Sequence, residues 1–344
     1  MTDDLDPGAL RAAEALHART AVADLHVDTL LAVRWAGYDL RRRHRNPFPR
    51  SPFFWQADIP RWRDGGLDVL LLGVVTLPVL SAEAGCAAAA DHIIDLAEAC
   101  ARAAPDDLAL CRTAAEVRAA RDAGRIAALL TLEGAHMLEG DLENLRHFHG
   151  RGVRSIGLAH FSRNSACAPA VGRGADAAAG LSDFGRALVA EMNRLGVVVD
   201  LAHVGRGAFL EACAASRRPC IVSHTGLRAL HDVARNVDDA QLRAVADAGG
   251  VVGVIFAGIW LGGRGRCTSA RVADHLEHAI HTIGYAHVAY GTDLDGAIVP
   301  PADVPDTAAV TRVTARLLER GHREEDVALV LGENILRVLQ AVQG

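Results

Sequence analysis

Short apolar runs alternate with amphipathic stretches along most of this chain. The runs are TAVADLHVD (20–28), GLDVLLLGVV (66–75), IAALLTLEG (126–134), VRSIGLAHF (153–161), GVVVDLAHV (196–204), PCIVSHT (219–225), GVVGVIFA (250–257) and HVAYGTDLDG (287–296). Near-continuous Val, Ile, Leu and Ala over such lengths suits strands buried on both faces, as in a parallel sheet. Between them lie helical patterns at 91–103, 183–196, 238–250 and 270–284, with two more around 307–320 and 324–342. The first three begin with Asp, a favoured N-cap, and 183–196, 238–250 and 270–284 close with Gly, the usual residue just past a helix end. Eight strands alternating with helices predict an α/β fold, a (β/α)8 TIM-type barrel forming one domain over residues 1–344. A doubly wound open sheet is the rival. The only long irregular stretch, 34–65, follows the first strand directly. In a barrel it would be a βα-loop insertion on the active-site face, a lid or rim.

Composition narrows the chemistry. Half of the 344 residues are hydrophobic, the net charge is −6 and the pI about 6.2, so nothing global suggests a nucleic-acid partner. The basic run RRRHRNPFPR (41–50) reads as a solvated loop. No apolar stretch approaches the ~18 residues needed to span a bilayer, the acidic opening MTDDLD does not read as a secretory signal, and the tail LRVLQAVQG carries no lipid-anchor pattern. The seven cysteines are scattered with no C-x-x-C pair, which suits a reducing compartment; a cytoplasmic protein with no membrane partner is expected. Most telling, there is no lysine. That removes a P-loop lysine, a Schiff base and a carbamylated-lysine metal bridge.

Polar residues collect where the runs end. His26 and Asp28 sit in run one, Glu133 in run three, His160 in run four, His203 in run five, His224 in run six, and Asp293 with Asp295 in run eight. In a strand, His26 and Asp28 would share a face. Barrel active sites form at the C-terminal strand ends, where these residues lie. Singly, each reads as an ordinary strand-end or turn residue. Jointly, six strands delivering His, Asp or Glu to one rim point to a metal centre. Imidazole and carboxylate without thiolate favour Zn over Mn, Co or Fe. The candidates exceed what one tetrahedral ion takes, so two ions bridged by a carboxylate fit better, and Glu133 is the natural bridge.

The chain strongly resembles the membrane (renal-type) dipeptidase family, peptidase family M19 of the amidohydrolase superfamily. The likeness runs from DLHVD to LGENILRVL and is most specific in GLSDFGRALVAEMNRLGVVVDLAHV, IVSHTG, ARNVDD and YGTDLDG. It implies one zinc among His26, Asp28, Glu133 and Asp293, and a second held by His203 and His224 with Glu133 bridging. It implies substrate contacts from His160, in LAHFSRNS, and from Arg235, in ARNVDD, the latter on a terminal carboxylate. The implied reaction is hydrolysis of the amide bond of small dipeptides, including those with a C-terminal D-residue, by a hydroxide bridging two Zn2+. Catalysis would fall to Asp293, Glu133 and His160, with Asp293 moving the proton. A homodimer is the family's habit. Two departures stand out: DLHVD where the family usually has Gly before and Asn after the histidine, and SRNSACAP where a Thr-Pro-Trp stretch is common. The alternative is a non-peptidase amidohydrolase cleaving N-acyl amino acids or lactams with the same dizinc site.

Other candidates have quieter readings. His275, His278 and His281 suit an outward helix face, and Cys167 lacks a paired base. His136 could support Glu133, Asp295 shapes its loop, and His231, in the loop between His224 and Arg235, could touch substrate.

Overall fold

The computed structural model describes residues 5–45, 55–77, 83–263 and 267–343. Its strands are β1 (Ala23–Val27), β2 (Val69–Val74), β3 (Leu108–Leu110), β4 (Ile126–Leu132), β5 (Val153–Gly157), β6 (Val198–Asp200), β7 (Ile221–Thr225), β8 (Val251–Val254) and β9 (Val288–Tyr290). Eight of them pair in parallel along the path β1-β2-β4-β5-β6-β7-β8-β9, while β3 joins β4 from outside it. The two ends meet: Asp293 N–H donates to His26 O, and Asp28 N–H to Leu294 O, each at 2.9 Å. The barrel expected from the sequence is therefore nearly closed, and the open doubly wound sheet is ruled out. Every residue of β1, β2, β4, β7 and β8 is buried, which explains why the runs show no alternation.

Details depart from expectation. Asp91 caps nothing, because its helix begins at Cys86 and runs to Ala103. Ser182 rather than Asp183 caps the helix Asp183–Leu195. Asp238 does cap Asp239–Asp247, within a full capping box. The segment 34–65 is not one irregular loop. The helix Thr29–Ala36 enters it and Ile59–Asp64 ends it, while 46–54 lie outside the described residues. In the described part of the basic run, Arg41 and Arg42 pair with Asp39 and Arg43 pairs with Asp64. The three-residue β3 was not anticipated; it is too short to register as an apolar run.

Candidate metal centre and active site

The strand ends deliver the expected side chains to one point. His26 lies in β1 and Asp28 just beyond it, as the first residue before the helix Thr29–Ala36. Glu133 follows β4, His160 and His203 stand three residues past β5 and β6, His224 is in β7, and Asp293 stands three residues past β9. Asp28 thus reaches the face of His26 from a turn and not from a continuing strand. All six proposed ligands are buried.

Glu133 is the hub. Its Oε1 lies 3.0 Å from His203 Nε2, 3.4 Å from His26 Nε2 and 3.5 Å from His224 Nε2, and its Oε2 lies 3.2 Å from His160 Nε2. Asp28 Oδ1 and Asp293 Oδ1 are 3.1 and 3.9 Å from His26 Nε2. Three groups of donor atoms, each drawn within 4.8 Å, overlap here: His26–Asp28–Glu133, Glu133–His203–His224 and His26–His224–Asp293. His26 Nε2 and Asp28 Oδ1 are buried without a hydrogen-bond partner. Buried polar atoms without partners are costly, and these overlapping carboxylate–imidazole groups fit the binding of divalent cations.

The backbone makes room for this set. A Cβ on Gly73 would sit 2.1 Å from Asp28 Oδ1, and one on Gly296 would sit 2.2 Å from Asp293 Oδ1. His203 and Asp293 themselves hold φ of 65° and 60°, a left-handed conformation uncommon outside glycine.

Supporting groups orient the ligands. Ser223 Oγ is 2.9 Å from His224 Nδ1; with that nitrogen donating, Nε2 turns a lone pair towards Glu133. Asp24 accepts from His26 N–H, Thr292 N–H and Thr292 Oγ–H, which ties β1 to the segment carrying Asp293. Asp200 accepts from Ala202 N–H and Ser223 N–H, beside His203 and His224. Sequence reasoning passed over Asp24, although it alternates with His26 on one strand face in ADLHVD.

Burial and crowding set the charges. Burial, then the Asp28 carboxylate, drives Glu133 well above the usual carboxylate range. Asp293 is pushed up to about 8, first by burial. Burial would lower His26, but the carboxylates of Asp28, Glu133 and Asp293 overcome it and hold its pKa well above normal. Burial puts His160, His203 and His224 well below normal, so all three are neutral and able to act as ligands or single donors. Burial also lowers Arg235 to about 10, against the pull of Asp293, Glu133 and Asp200. Arg235 is 3% exposed as a residue; its guanidinium donates from Nη2 to His224 O at 3.1 Å and keeps Nε unpartnered.

The quieter candidates sort cleanly. His275 is not on an outward face: it is fully buried, accepting from Leu227 N–H at Nδ1 and facing Leu261 O at 3.2 Å from Nε2. The apolar face of the helix Ser269–Ile283 includes it, because the loop after β7 packs there. His278 pairs with Asp239, and His281 is exposed. Burial pushes the Cys167 thiol up to about 12, which rules out a thiolate nucleophile near neutral pH. His136 is buried against Thr76 Oγ at 2.8 Å, its ring centroid 6.4 Å from that of His160. Asp295 accepts from Gln56 N–H and belongs to none of the three donor groups. His231 packs beneath Gly262, where a Cβ would lie 3.0 Å from its ring.

Among the described residues no helix is long and apolar enough to cross a membrane. Known proteins resemble this chain in sequence and fold. Dipeptidase tcpJ of Claviceps purpurea is 34% identical over 252 residues, covering 73% of this chain and 59% of that protein. Dipeptidase verJ of Clonostachys rogersoniana is 34% identical over 238 residues, covering 69% and 61%. The chain thus spans about three fifths of the length of these relatives. Among solved structures, the probable dipeptidase PvdM of Pseudomonas aeruginosa shares the fold at a TM-score of 0.88, 21% identity and coverage of 98% and 99%. A metallopeptidase of Rhodobacter sphaeroides, solved with a phosphinate mimic of the dipeptide L-Ala-D-Ala, matches at a TM-score of 0.82 and 26% identity, covering 94% and 99%. The model of the family described as membrane dipeptidase matches residues 10–344, and the chain belongs to that family, peptidase family M19.

Proposed function

We propose that this protein is a zinc-dependent dipeptidase that hydrolyses the amide bond of small dipeptides, those with a C-terminal D-residue included. The observation that carries the reading is the position of Glu133, whose Oε1 lies within 3.5 Å of three histidine Nε2 atoms from three different strand ends. One cation would take His26, Asp28, Glu133 and Asp293, and the other Glu133, His203 and His224. Bound there, the cation pair would lower the pKa of a water towards ~7 and polarise the scissile carbonyl.

The remaining work falls to side chains. Asp293, raised to about 8 by burial, would be ionised once divalent cations occupy the donor set; it then accepts a proton from the attacking water and passes it to the leaving amine. Neutral His160 donates one N–H to the oxygen that gains negative charge. Arg235 binds the terminal carboxylate, its unpartnered Nε among the donors, which fixes register and discriminates against longer peptides. The mimic bound to the Rhodobacter neighbour supports the D-residue part of the reading.

The test is a panel of L,L and L,D dipeptides run beside N-acyl amino acids, with and without chelator. Chelator-sensitive, zinc-restored cleavage of dipeptides is expected. Cleavage confined to N-acyl amino acids would replace this reading with the non-peptidase one.

A further inference from the structure

Beside the metal centre lies a small recess of about 50 Å³, which shares His203 and Arg235 with the site. Three arginines line it, Arg206, Arg228 and Arg235, and no described Asp or Glu does. Arg206 opens the helix Arg206–Ala215, where the first-turn Gly207 N–H already donates to Ala177 O at 2.8 Å, so the positive charge here comes from the arginine side chains. Arg235, 3% exposed, has an unpartnered Nε there.

The outer two arginines are only partly engaged. Arg206 donates from Nε to Asp238 at 2.6 Å, and Arg228 donates from Nε and Nη2 to one oxygen of Asp232 at 2.8 and 2.6 Å. A guanidinium has five N–H donors, so each keeps several to offer. Once Arg235 holds the α-carboxylate of a bound dipeptide, the nearest negative group that could use the others is a second carboxylate.

We propose that this recess is a subsite for the side-chain carboxylate of an acidic C-terminal residue, so that X-Glu and X-Asp dipeptides are the preferred class. The inference rests on the dipeptidase reading, and the experiment separates the two. Zinc-loaded enzyme is assayed on Ala-Glu against Ala-Gln and on Ala-Asp against Ala-Asn, near-isosteric pairs that differ in one charge. A charge-assisted pairing predicts a kcat/KM advantage of roughly tenfold or more for the acid. That ratio falls towards one in the R206Q/R228Q double variant. Neutral and acidic members cleaved equally well would overturn the subsite and leave the dipeptidase reading standing. If no dipeptide is cleaved, the dipeptidase reading fails, and calorimetry decides the recess alone: L-glutamate binding more tightly than L-glutamine supports an anionic subsite, and equal binding overturns it.

Discussion

The Nε2 atoms of His203 and His224 stand 2.9 Å apart, with Glu133 Oε1 within 3.5 Å of both. Burial keeps both rings neutral, so two basic nitrogens and a carboxylate oxygen converge in a pocket closed to bulk water. Nothing in barrel packing calls for that convergence; a cation does.

The glycine beneath Asp28 gives a sharp test. In Gly73→Ala the new methyl would start 2.1 Å from Asp28 Oδ1, so the carboxylate must move. The variant should fold and lose metal from the His26 side, with content measured by plasma mass spectrometry falling by about half. Full occupancy would show that Asp28 is dispensable as a ligand.

Asp293→Asn keeps the shape and one oxygen but removes the proton acceptor. With metal held at saturation, kcat should drop on the order of 10²–10⁴-fold. Near-normal turnover would take Asp293 out of proton transfer.

Arg235→Gln should raise KM for free dipeptides by about 10–100-fold, the equivalent of roughly 1.5–3 kcal/mol for a hydrogen bond to a charged group. C-terminally amidated dipeptides should change far less. Equal losses on both would mean that the arginine holds the loop and not the substrate.

His275 carries a pH signature. Burial lowers its pKa from 6.5 to about 4, with the hydrogen bond to Leu261 opposing. The unfolded chain therefore binds a proton between those values that the folded chain refuses, so this group's contribution is complete above pH 6.5 and is lost as pH falls towards 4. Relative to His275→Gln, the wild type should lose on the order of 3 kcal/mol across that window in urea unfolding. A constant gap between the two proteins would contradict it.

Much of this was legible in the chain. Strands buried on both faces leave unbroken apolar runs, and a barrel gathers their ends, so the meeting of His26, Glu133, His203, His224 and Asp293 follows from the chain itself. Local periodicity could not reveal what depends on packing across the fold. The inward turn of His275 is set by the loop after β7, and the space needed by Asp28 and Asp293 is visible only as clashes at Gly73 and Gly296. The cap of the helix Asp183–Leu195 is hidden from the pattern because Ser182 lies one residue outside the stretch that begins at Asp183.

The most direct measurement is anomalous diffraction from zinc-loaded crystals. The account predicts about two peaks, one enclosed by His26, Asp28, Glu133 and Asp293 and one by Glu133, His203 and His224. Zinc-loaded crystals with no anomalous density beside Glu133 would contradict it.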